Sequence, residues 1–537
     1  MIETPRGTRG MVTAPHHLAA QSGLAVLREG GNAVEAAVAA ASTIAVVYPH
    51  MNSIGGDGFW LIAEPGREPV AIEACGTAAS AATIDAYRAR GLAEIPARGG
   101  LAANTVAGTV GGWQLALEHA APWGAALPRD RLLADAIHYA RSGIAVTASQ
   151  RRYAVAKWDE LKDQPGFAPV FAPPGVSGGV SGGAPPAVAS RLANPALAAT
   201  LERLAAAGFD DFYRGDVARA LARDLAAAGS PLALADLEAW RARRIAPLLV
   251  NLPCGTVWNL PPPTQGLASL MILGIFARLE VGVPDGFAHV HGLVEATKRA
   301  FAVRDRELAD PMAMTLDAAH CLASAALAEQ AAAIDPRRAA PWGAAADAGD
   351  TVWLGVIDAA GRAVSFIQSL YWEFGSGVVG AATGVLWQNR GASFKLDPAA
   401  RNALAPGRRP LHTLNPAFAR LKDGRALVYG TMGGDGQPQT QAALFTRYAL
   451  FGQALQQAVS APRWLLGRTW GSPSITLKLE QRWSERVVEA LRAAGHSIEM
   501  VEPFSDLVGH AGAITRLPSG VLEGATDPRS DGGVAGF

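Results

Sequence analysis

Cysteine is scarce in this sequence. The 537 residues contain three cysteines, Cys75, Cys254 and Cys321, which lie far apart and show no CxxC spacing. This pattern predicts neither a disulfide framework nor a cysteine zinc site. We therefore expect reduced, mostly buried thiols, no metal and no cofactor.

An excess of charge of either sign is also absent. The chain has 47 basic and 47 acidic residues, which gives a formal net charge of +0 at pH 7. Because no general positive field attracts polyanions, we do not expect a nucleic-acid partner, although a single pocket can still be charged.

Long hydrophobic runs are missing as well. The first long apolar stretch covers residues 36–47, which is shorter than the roughly 20 residues that a helix needs to span a bilayer. The N-terminal sequence MIETPRGTRGMVTAPHH lacks the apolar core of a signal peptide. We expect a cytoplasmic protein that does not engage a membrane.

Apolar residues are plentiful outside such runs. Half of the residues are hydrophobic and 18% are charged, which is typical of a soluble globular enzyme. Helical patterns dominate residues 106–245, and the C-terminal third is richer in strand patterns. The chain is too long for one ordinary core, so we predict a layered α/β protein with helices packed on antiparallel sheets.

Several segments give more definite predictions. Two alanine-rich helices at 18–29 and 33–47 are separated by Gly30-Gly31-Asn32, a helix C-cap signal. A further helix is predicted at 287–308, and strands at 59–63, 255–260, 352–357, 363–374, 384–388 and 426–430. We expect an exposed loop at 172–186 and a flexible, alanine-rich leader at 322–350.

Three familiar motifs occur in contexts that do not suit them. The GSGVVG at 375–380 matches a dinucleotide pattern, but a strand-like segment follows it instead of a helix. The GVSGG at 175–179 matches a nucleophile elbow, but no apolar strand precedes it. His289 and His291 face different sides of a predicted helix without an HExxH pattern, so we expect ordinary packed or surface histidines.

The segment AADAGDTVWLGVID changes character at Thr351, where the alanine-rich leader ends and a β-hairpin begins. A threonine that becomes a new N-terminus has a hydroxyl nucleophile, and its free amine is a general base for that hydroxyl. On these residues alone, a hairpin threonine after a loop is the simpler interpretation, and both stay open at this point.

Ordered motifs along nearly the whole chain resolve this choice. They include APHHLAAQSGLAVLREGGNAVEAAVAAA, IGGDGF, PPPTQG, EATKRAFAVRDRELADP, TVWLGVIDAAGRAVSF, FGSGVV, RRPLHTLNPAF, YGTMGGDGQ and GATDPRSDGGVAGF. Together they resemble the gamma-glutamyltranspeptidase family, a branch of the self-processing N-terminal nucleophile hydrolases. The resemblance implies a four-layer αββα sandwich, made as one precursor that cuts itself between Asp350 and Thr351.

The resemblance also implies the subunits and the catalytic groups. The large subunit would comprise residues 1–350 and the small subunit residues 351–537, with a dimer of such heterodimers as the assembly. Thr351 matches the family's nucleophile, and Ser369 stands where the family has a second threonine that hydrogen-bonds it. Gly433 and Gly434 match the glycine pair whose N–H groups form the oxyanion hole.

The predicted substrate pocket departs from that of the members that cleave glutathione. Those members hold the α-carboxylate of the γ-glutamyl group with an arginine, whose place here is taken by Ile84. They hold its α-amino group with an asparagine and an aspartate, whose places are taken by Tyr371 and Ser393. The resemblance therefore implies a site that lacks the acidic partner of an ammonium group.

Other replacements favour an anion. Arg390 replaces a glutamine, and His412 and Thr413 replace a pair of serines, so we predict that Arg390 anchors a small carboxylate. This pattern is most similar to the family's oxamate amidohydrolase-like, non-glutamyl branch, which implies hydrolysis of oxamate to oxalate and ammonia through an acyl-Thr351. The alternatives are a gamma-glutamyltransferase or glutathione hydrolase, a glutaryl-cephalosporin-type acylase, and a non-catalytic binding protein.

Overall fold

A computed structural model of the protein describes residues 3–124, 127–173, 183–343, 350–467 and 474–537. Residues 174–182 of the predicted exposed loop and residues 344–349 of the predicted leader lie outside these ranges. Within them, no helix combines the length and the apolar character needed to cross a bilayer.

The described residues form nineteen strands. In chain order these are β1 Arg6–Gly7, β2 Gly10–Ala14, β3 Asp57–Ala63, β4 Val70–Ala74, β5 Ile144–Ala145, β6 Arg191–Leu192, β7 Arg243–Ile245, β8 Leu248–Leu252, β9 Gly255–Asn259, β10 Asp350–Asp358, β11 Ala363–Tyr371, β12 Ala417–Leu421, β13 Ala426–Thr431, β14 Trp464–Leu466, β15 Leu477–Glu480, β16 Ile498–Val501, β17 Ala511–Arg516, β18 Leu522–Thr526 and β19 Gly533–Gly536.

The described residues also form nineteen α-helices. These are α1 His17–Arg28, α2 Ala33–Val47, α3 Ile84–Arg88, α4 Thr109–Ala120, α5 Arg129–Ser142, α6 Ala148–Ala156, α7 Trp158–Leu161, α8 Phe167–Phe171, α9 Pro195–Ala207, α10 Asp211–Arg214, α11 Asp216–Ala227, α12 Leu234–Ala239, α13 Gly266–Phe276, α14 Phe287–Glu307, α15 Ala318–Cys321, α16 Ser324–Ala332, α17 Gly436–Phe445, α18 Leu455–Ser460 and α19 Glu485–Ala493.

Two seven-stranded antiparallel sheets form the centre of the molecule. The first has the order β19-β2-β10-β11-β3-β4-β7, and the second has the order β1-β18-β17-β13-β12-β9-β8. Small additional sheets are formed by β14-β15-β16 and by β5-β6. Strands from before and after residue 350 are therefore interleaved in the first sheet, where β2 lies between β19 and β10, and they meet within the second sheet.

Three apolar clusters define four layers. The cluster between the sheets contains Phe59, Trp353, Phe418 and Ile514 from both sheets. A second cluster packs α1, α2, α4 and α5 on the outer face of the first sheet, and a third packs α13, α14 and α17 on the outer face of the second. This arrangement confirms the predicted αββα sandwich.

The start of α2 shows how local sequence sets an element boundary. Asn32 Oδ1 accepts hydrogen bonds from the N–H groups of Val34 (2.9 Å) and Glu35 (3.1 Å), and Glu35 Oε2 accepts one from Asn32 N (2.8 Å). This reciprocal capping box satisfies N–H groups that the helix leaves without partners. The predicted helix at 33–47 is confirmed.

Two predictions about segments on either side of Thr351 are wrong. Residues 384–388 form isolated bridges instead of a strand, because Gly384 has a φ of 66° and the segment pairs with two different loops. The region 322–350 is not an unstructured leader throughout, since it contains α16. The i, i+4 spacing of Leu327 and Ala331 buries one face of that helix against the third cluster.

Close packing around Trp353 gives a stability prediction. A Cβ added at Gly430 would lie 2.2 Å from Trp353 Cδ1, whereas one added at Gly282 would meet nothing within 4 Å. We expect Gly430→Ala to lower the free energy of unfolding by about 1–3 kcal/mol through overpacking, and Gly282→Ala to leave it nearly unchanged. Urea denaturation of both variants, each made in a Thr351→Ala chain that is expected to stay uncut, checks this, and equal stability would contradict the packing described.

Candidate active site

Thr351 lies at the start of β10, in the centre of the first sheet, and is completely buried. Along β10, Val352, Leu354 and Val356 belong to the cluster under the outer helices, whereas Trp353 and Ile357 belong to the cluster between the sheets. Because strand side chains alternate between faces, the Thr351 hydroxyl belongs to the face that points toward the second sheet.

A bulge in the neighbouring strand lies opposite Thr351. Asp350 pairs with Tyr371 and Val352 pairs with Gln368, so that Ser369 and Leu370 of β11 face the single residue Thr351. Ser369 Oγ accepts a hydrogen bond of 2.8 Å from Tyr371 N, and Tyr371 has a φ of 86°. This conformation is costly for a residue that is not glycine, and such strain is often found at functional sites. The predicted partner Ser369 is therefore next to Thr351.

The glycine pair lies in the loop that joins β13 to α17. Gly433 and Gly434 have φ values of 115° and 50°, a region that glycine adopts without a steric cost. The side chain of Gln437, in the first turn of α17, donates a 3.3 Å hydrogen bond from Nε2 to Thr351 Oγ1, and its backbone N bonds Gly434 O at 3.2 Å. The predicted nucleophile and the predicted oxyanion loop are thus linked by one residue.

Gln265 ties this loop to the predicted substrate residues. Its Nε2 donates to the carbonyl oxygens of Thr413 (2.7 Å) and Gly434 (2.8 Å). Its Oε1 accepts a 3.0 Å hydrogen bond from Arg304, which also forms an ion pair with Asp435 at 3.0 Å. Sequence reasoning did not identify these residues, although the quoted PPPTQG and GGDGQ motifs contain Gln265, Asp435 and Gln437.

Arg390 is a buried cation that lacks a carboxylate partner among the described residues. The side chain is 1% exposed and its guanidinium carbon lies 4.1 Å from the centre of the Tyr371 ring. Its nitrogens reach Thr413 Oγ1 at 3.4 Å and Ser369 Oγ at 3.5 Å, while Nε has no hydrogen-bond partner. Burial lowers the pKa of Arg390 to about 10, partly offset by Tyr371 and Asp57. A buried charge with so little compensation is costly unless an anion binds.

His412 and Asp57 form a second buried pair next to this arginine. His412 Nε2 lies 3.2 Å from Asp57 Oδ2, and the other carboxylate oxygen accepts from Gly76 N, Gly108 N and Gln388 Nε2. Burial and the nearby Arg390 charge lower the pKa of His412 to about 4. His412 is therefore neutral at pH 7, and the positive charge that acts on it is that of Arg390.

A cavity of about 450 Å³ opens beside these groups. Four of the predicted substrate residues line it, namely Tyr371, Ser393, His412 and Thr413. Arg390 is not among the lining residues, but its guanidinium contacts the ring of Tyr371, which is one of them. The structure thus brings these predicted pocket residues together, whereas Ile84 begins α3 and packs against the second apolar cluster, under the helices outside the first sheet.

Buried histidines give a prediction for the dependence of stability on pH. The pKa values of His16 and His412 fall from 6.5 to about 4, and those of His289 and His496 to about 3, chiefly through burial. Between these pKa values each histidine is protonated in the unfolded chain and neutral in the folded chain. The free energy of unfolding therefore falls as the pH drops from 6.5 to about 4, by roughly 1.4 kcal/mol per pH unit for each group. The raised pKa values of Glu35, Glu73, Asp310 and Asp358 oppose this trend.

Urea denaturation between pH 7 and pH 4 measures this slope on a Thr351→Ala chain, which is expected to stay uncut and so to refold as one molecule. Replacing one of these histidines, as in His412→Gln, should reduce the slope. A free energy of unfolding that stays level over this interval would contradict the prediction.

Another cluster, of His291, Glu295 and His496, has a spacing that suits a metal ion. Its polar atoms are satisfied by protein groups: His291 contacts His496 and Asp335 O at 2.8 Å each, and Glu295 accepts from Lys298 Nζ and Ala340 N. These bonds fasten the segment around 335–340 to α14. His289 likewise contacts Thr446 Oγ1 at 2.8 Å, so the prediction of packed histidines is confirmed.

Comparisons with known proteins agree with this geometry. A sequence profile described as gamma-glutamyltranspeptidase matches residues 19–537. The chain belongs to this family. Members of the family that resemble it are made as proenzymes, and the chain is an enzyme of the same N-terminal nucleophile hydrolase type.

Three similar family members cover nearly the whole chain. The oxamate amidohydrolase proenzyme of Klebsiella pneumoniae is 57% identical over 531 residues, which are 99% of each chain. The glutathione hydrolase-like YwrD proenzyme of Bacillus subtilis is 38% identical over 541 residues, again 99% of each chain. The crystal structure of cephalosporin acylase from Bacillus halodurans has a TM-score of 0.90 at 33% identity and covers 100% of this chain and 97% of its own.

Proposed function

We propose that the protein is an autoprocessed amidohydrolase that converts oxamate into oxalate and ammonia. The single observation that supports oxamate as the substrate is the position of Arg390. Its guanidinium is buried, has no carboxylate partner among the described residues, and contacts Ser369 beside Thr351. The 57% identity to the oxamate amidohydrolase proenzyme supports the same choice.

The proposed maturation cuts the chain between Asp350 and Thr351. Thr351 Oγ1 attacks the carbonyl carbon of Asp350, the peptide C–N bond breaks, and the hydroxyl proton ends on the nitrogen of Thr351. Water then hydrolyses the resulting ester, leaving a large subunit of residues 1–350 and a small subunit of residues 351–537. The freed α-amine next to the hydroxyl is the base for later cycles.

The same hydroxyl would then attack the substrate. The Thr351 amine accepts the hydroxyl proton and passes it to the leaving ammonia, and the oxalyl ester on Thr351 is hydrolysed by water. We assign the N–H groups of Gly433 and Gly434 to the oxyanion, because their loop begins the helix that contacts Thr351 Oγ1. Ser369 lies opposite Thr351 and orients both the nucleophile and Arg390.

The size of the substrate follows from the position of the anchor. In oxamate the carboxylate is bonded directly to the amide carbon, so its partner has to lie immediately beside the nucleophile. Arg390 meets this requirement through its contact with Ser369, and Thr413, His412, Tyr371 and Ser393 supply the neighbouring hydrogen-bonding groups. In a γ-glutamyl or glutaryl amide the carboxylate lies several carbons away from the reacting carbon.

An amide panel tests this proposal. Oxamate, a glutaryl amide, a glutaryl cephalosporin and a γ-glutamyl anilide would be compared for release of ammonia or amine, with and without glycylglycine as an acceptor. We expect oxamate to have the highest kcat/KM by at least about tenfold. Preferred cleavage of the γ-glutamyl or glutaryl compounds would contradict the proposal and would indicate a γ-glutamyltransferase or a glutaryl acylase instead.

The assembly and the location are further predictions. Light scattering of the purified protein would distinguish a dimer of processed heterodimers from a single heterodimer. Fractionation of cells that express the protein would test the cytoplasmic location.

A further inference from the structure

The amide side chain of Gln437 contacts the hydroxyl of the proposed nucleophile. Its Nε2 lies 3.3 Å from Thr351 Oγ1, and both side chains are completely buried. The distance is at the long end for an N–H···O hydrogen bond. Hydrogen bonds of this kind are often long before substrate is bound and shorten in the reacting complex.

The orientation of this amide is fixed by its neighbours. Asn415 Nδ2 donates to the carbonyl oxygen of Thr413 at 2.9 Å, and Asn415 Oδ1 accepts from Ser269 Oγ at 2.9 Å. Because a carbonyl only accepts, the atom of Asn415 that faces Thr413 has to be the nitrogen. The same nitrogen lies 3.2 Å from Gln437 Oε1, so the oxygen of Gln437 faces Asn415 and its N–H faces Thr351.

This orientation determines what the hydroxyl can do. Since Gln437 Nε2 only donates, Thr351 Oγ1 has to accept, and its proton is directed toward another group. A donor held against the oxygen also stabilises the negative charge that develops as the proton leaves. Gln437 N bonds the carbonyl of Gly434, so the same residue couples the nucleophile to the glycine loop.

We propose that Gln437 is a further catalytic residue, which holds Thr351 Oγ1 in the attacking position and stabilises it as it loses its proton. Asn415 is the positioning residue that keeps the N–H of Gln437 turned toward Thr351. Gln437 gives up no proton: the proton moves from Oγ1 to the departing nitrogen in both the self-cleavage and the amide hydrolysis. This inference rests on the proposed function, in which Thr351 is the nucleophile.

The test compares two glutamines on the same helix. Gln437→Met removes the donor to Thr351, whereas Gln439→Met removes a buried amide that bonds Asp435 O and Leu466 O and does not contact Thr351. Self-cleavage is followed over time after cell-free synthesis, and oxamate hydrolysis is measured on the processed protein. We expect Gln437→Met to slow both reactions by about 10- to 100-fold, with KM nearly unchanged. Gln439→Met should retain both rates in its folded fraction.

Two acidic variants keep the test informative if Gln437→Met folds poorly. Gln437→Glu places a carboxylate against Oγ1 at neutral pH, and Asn415→Asp turns the Gln437 amide around, since a carboxylate only accepts. Both should be slow at pH 8 and should recover part of their rate at pH 5 relative to the wild type, because a protonated carboxyl donates again. A merely structural role would not produce this new acid-side dependence.

The outcomes separate the inference from the function on which it rests. An uncut, inactive wild-type protein overturns the proposed function itself. An active wild type with unchanged rates in Gln437→Met, or with equal losses in Gln437→Met and Gln439→Met, overturns only the role of Gln437. A pH profile of Asn415→Asp parallel to that of the wild type overturns the positioning role of Asn415.

Discussion

Thr351→Ala should yield a single uncut chain of 537 residues that does not hydrolyse amides. The substitution removes the hydroxyl that the proposal uses twice, first against the carbonyl of Asp350 and then against the substrate. Because the group that forms the covalent bond is lost, we expect activity to fall by on the order of 10⁴-fold or more. Mass spectrometry of the intact protein and an ammonia assay measure the two effects.

The control is another buried threonine of the same sheet. Thr13 lies in β2, which pairs with β10, and its hydroxyl donates to Ala525 O at 3.1 Å. Thr13→Ala should lose some stability and still be cut into fragments that meet at residues 350 and 351. A Thr351→Ala protein that is cut and active would remove Thr351 from the mechanism.

Arg390→Ala should separate substrate binding from self-cleavage. The variant loses the cation that the proposal places against the substrate carboxylate, so we expect kcat/KM for oxamate to fall by at least about 10²-fold. Self-cleavage should proceed, because the peptide bond at residue 350 needs no carboxylate anchor. Inhibition by oxalate, the expected product, should weaken in parallel, and a titration with oxalate measures this directly.

Matched variants sharpen the interpretation of Arg390. Arg390→Lys keeps the charge without the two-pronged guanidinium and should retain an intermediate activity. Arg401 lines the outer part of the same cavity and pairs with Glu307 at 3.2 Å, so Arg401→Ala controls for general attraction of anions. Unchanged oxamate turnover in Arg390→Ala would mean that the anchor is another group.

The stability of Arg390→Ala is informative as well. Arg390 is buried with weak contacts to Thr413 and Ser369, and burial depresses its pKa. Removing a charge that the fold compensates poorly should cost little stability despite the cavity left behind. A melting temperature close to that of the wild type would therefore indicate that the arginine is retained for binding.

Local sequence signals predicted much of the fold. The Gly30-Gly31-Asn32 signal between two helices and the hairpin turn at 358–361 are local features, and α2 and β10 follow them closely. The strand prediction for 384–388 was wrong because these residues form single bridges, from Leu386 to the nearby Val379 and from Trp387 to the distant Gly55, and not a continuous ladder. Local pattern placed Thr351 at the start of a strand, but its catalytic role came only from resemblance.

The missed groups of the site share a physical cause. Gln265, Gln437 and Asp57 act through hydrogen bonds to residues at large sequence separations, such as Thr413, Thr351 and His412. Glutamine and aspartate are common, so their type alone marks no site. Only the packing of two sheets against each other brings these side chains into contact.

Strands of both proposed chains are interleaved in the first sheet, and this arrangement affects how the mature protein would unfold. β10 lies between β2 and β11, and β19 lies on the other side of β2, so the two proposed chains share one hydrogen-bonded sheet. Before the cut, refolding is a reaction of one molecule. After the cut, two separate chains would have to meet and interleave again. Refolding would then be slower at lower protein concentration, and unfolded enzyme would not regain activity. The mature protein would then persist through a slow rate of unfolding and not through an equilibrium that it can re-enter.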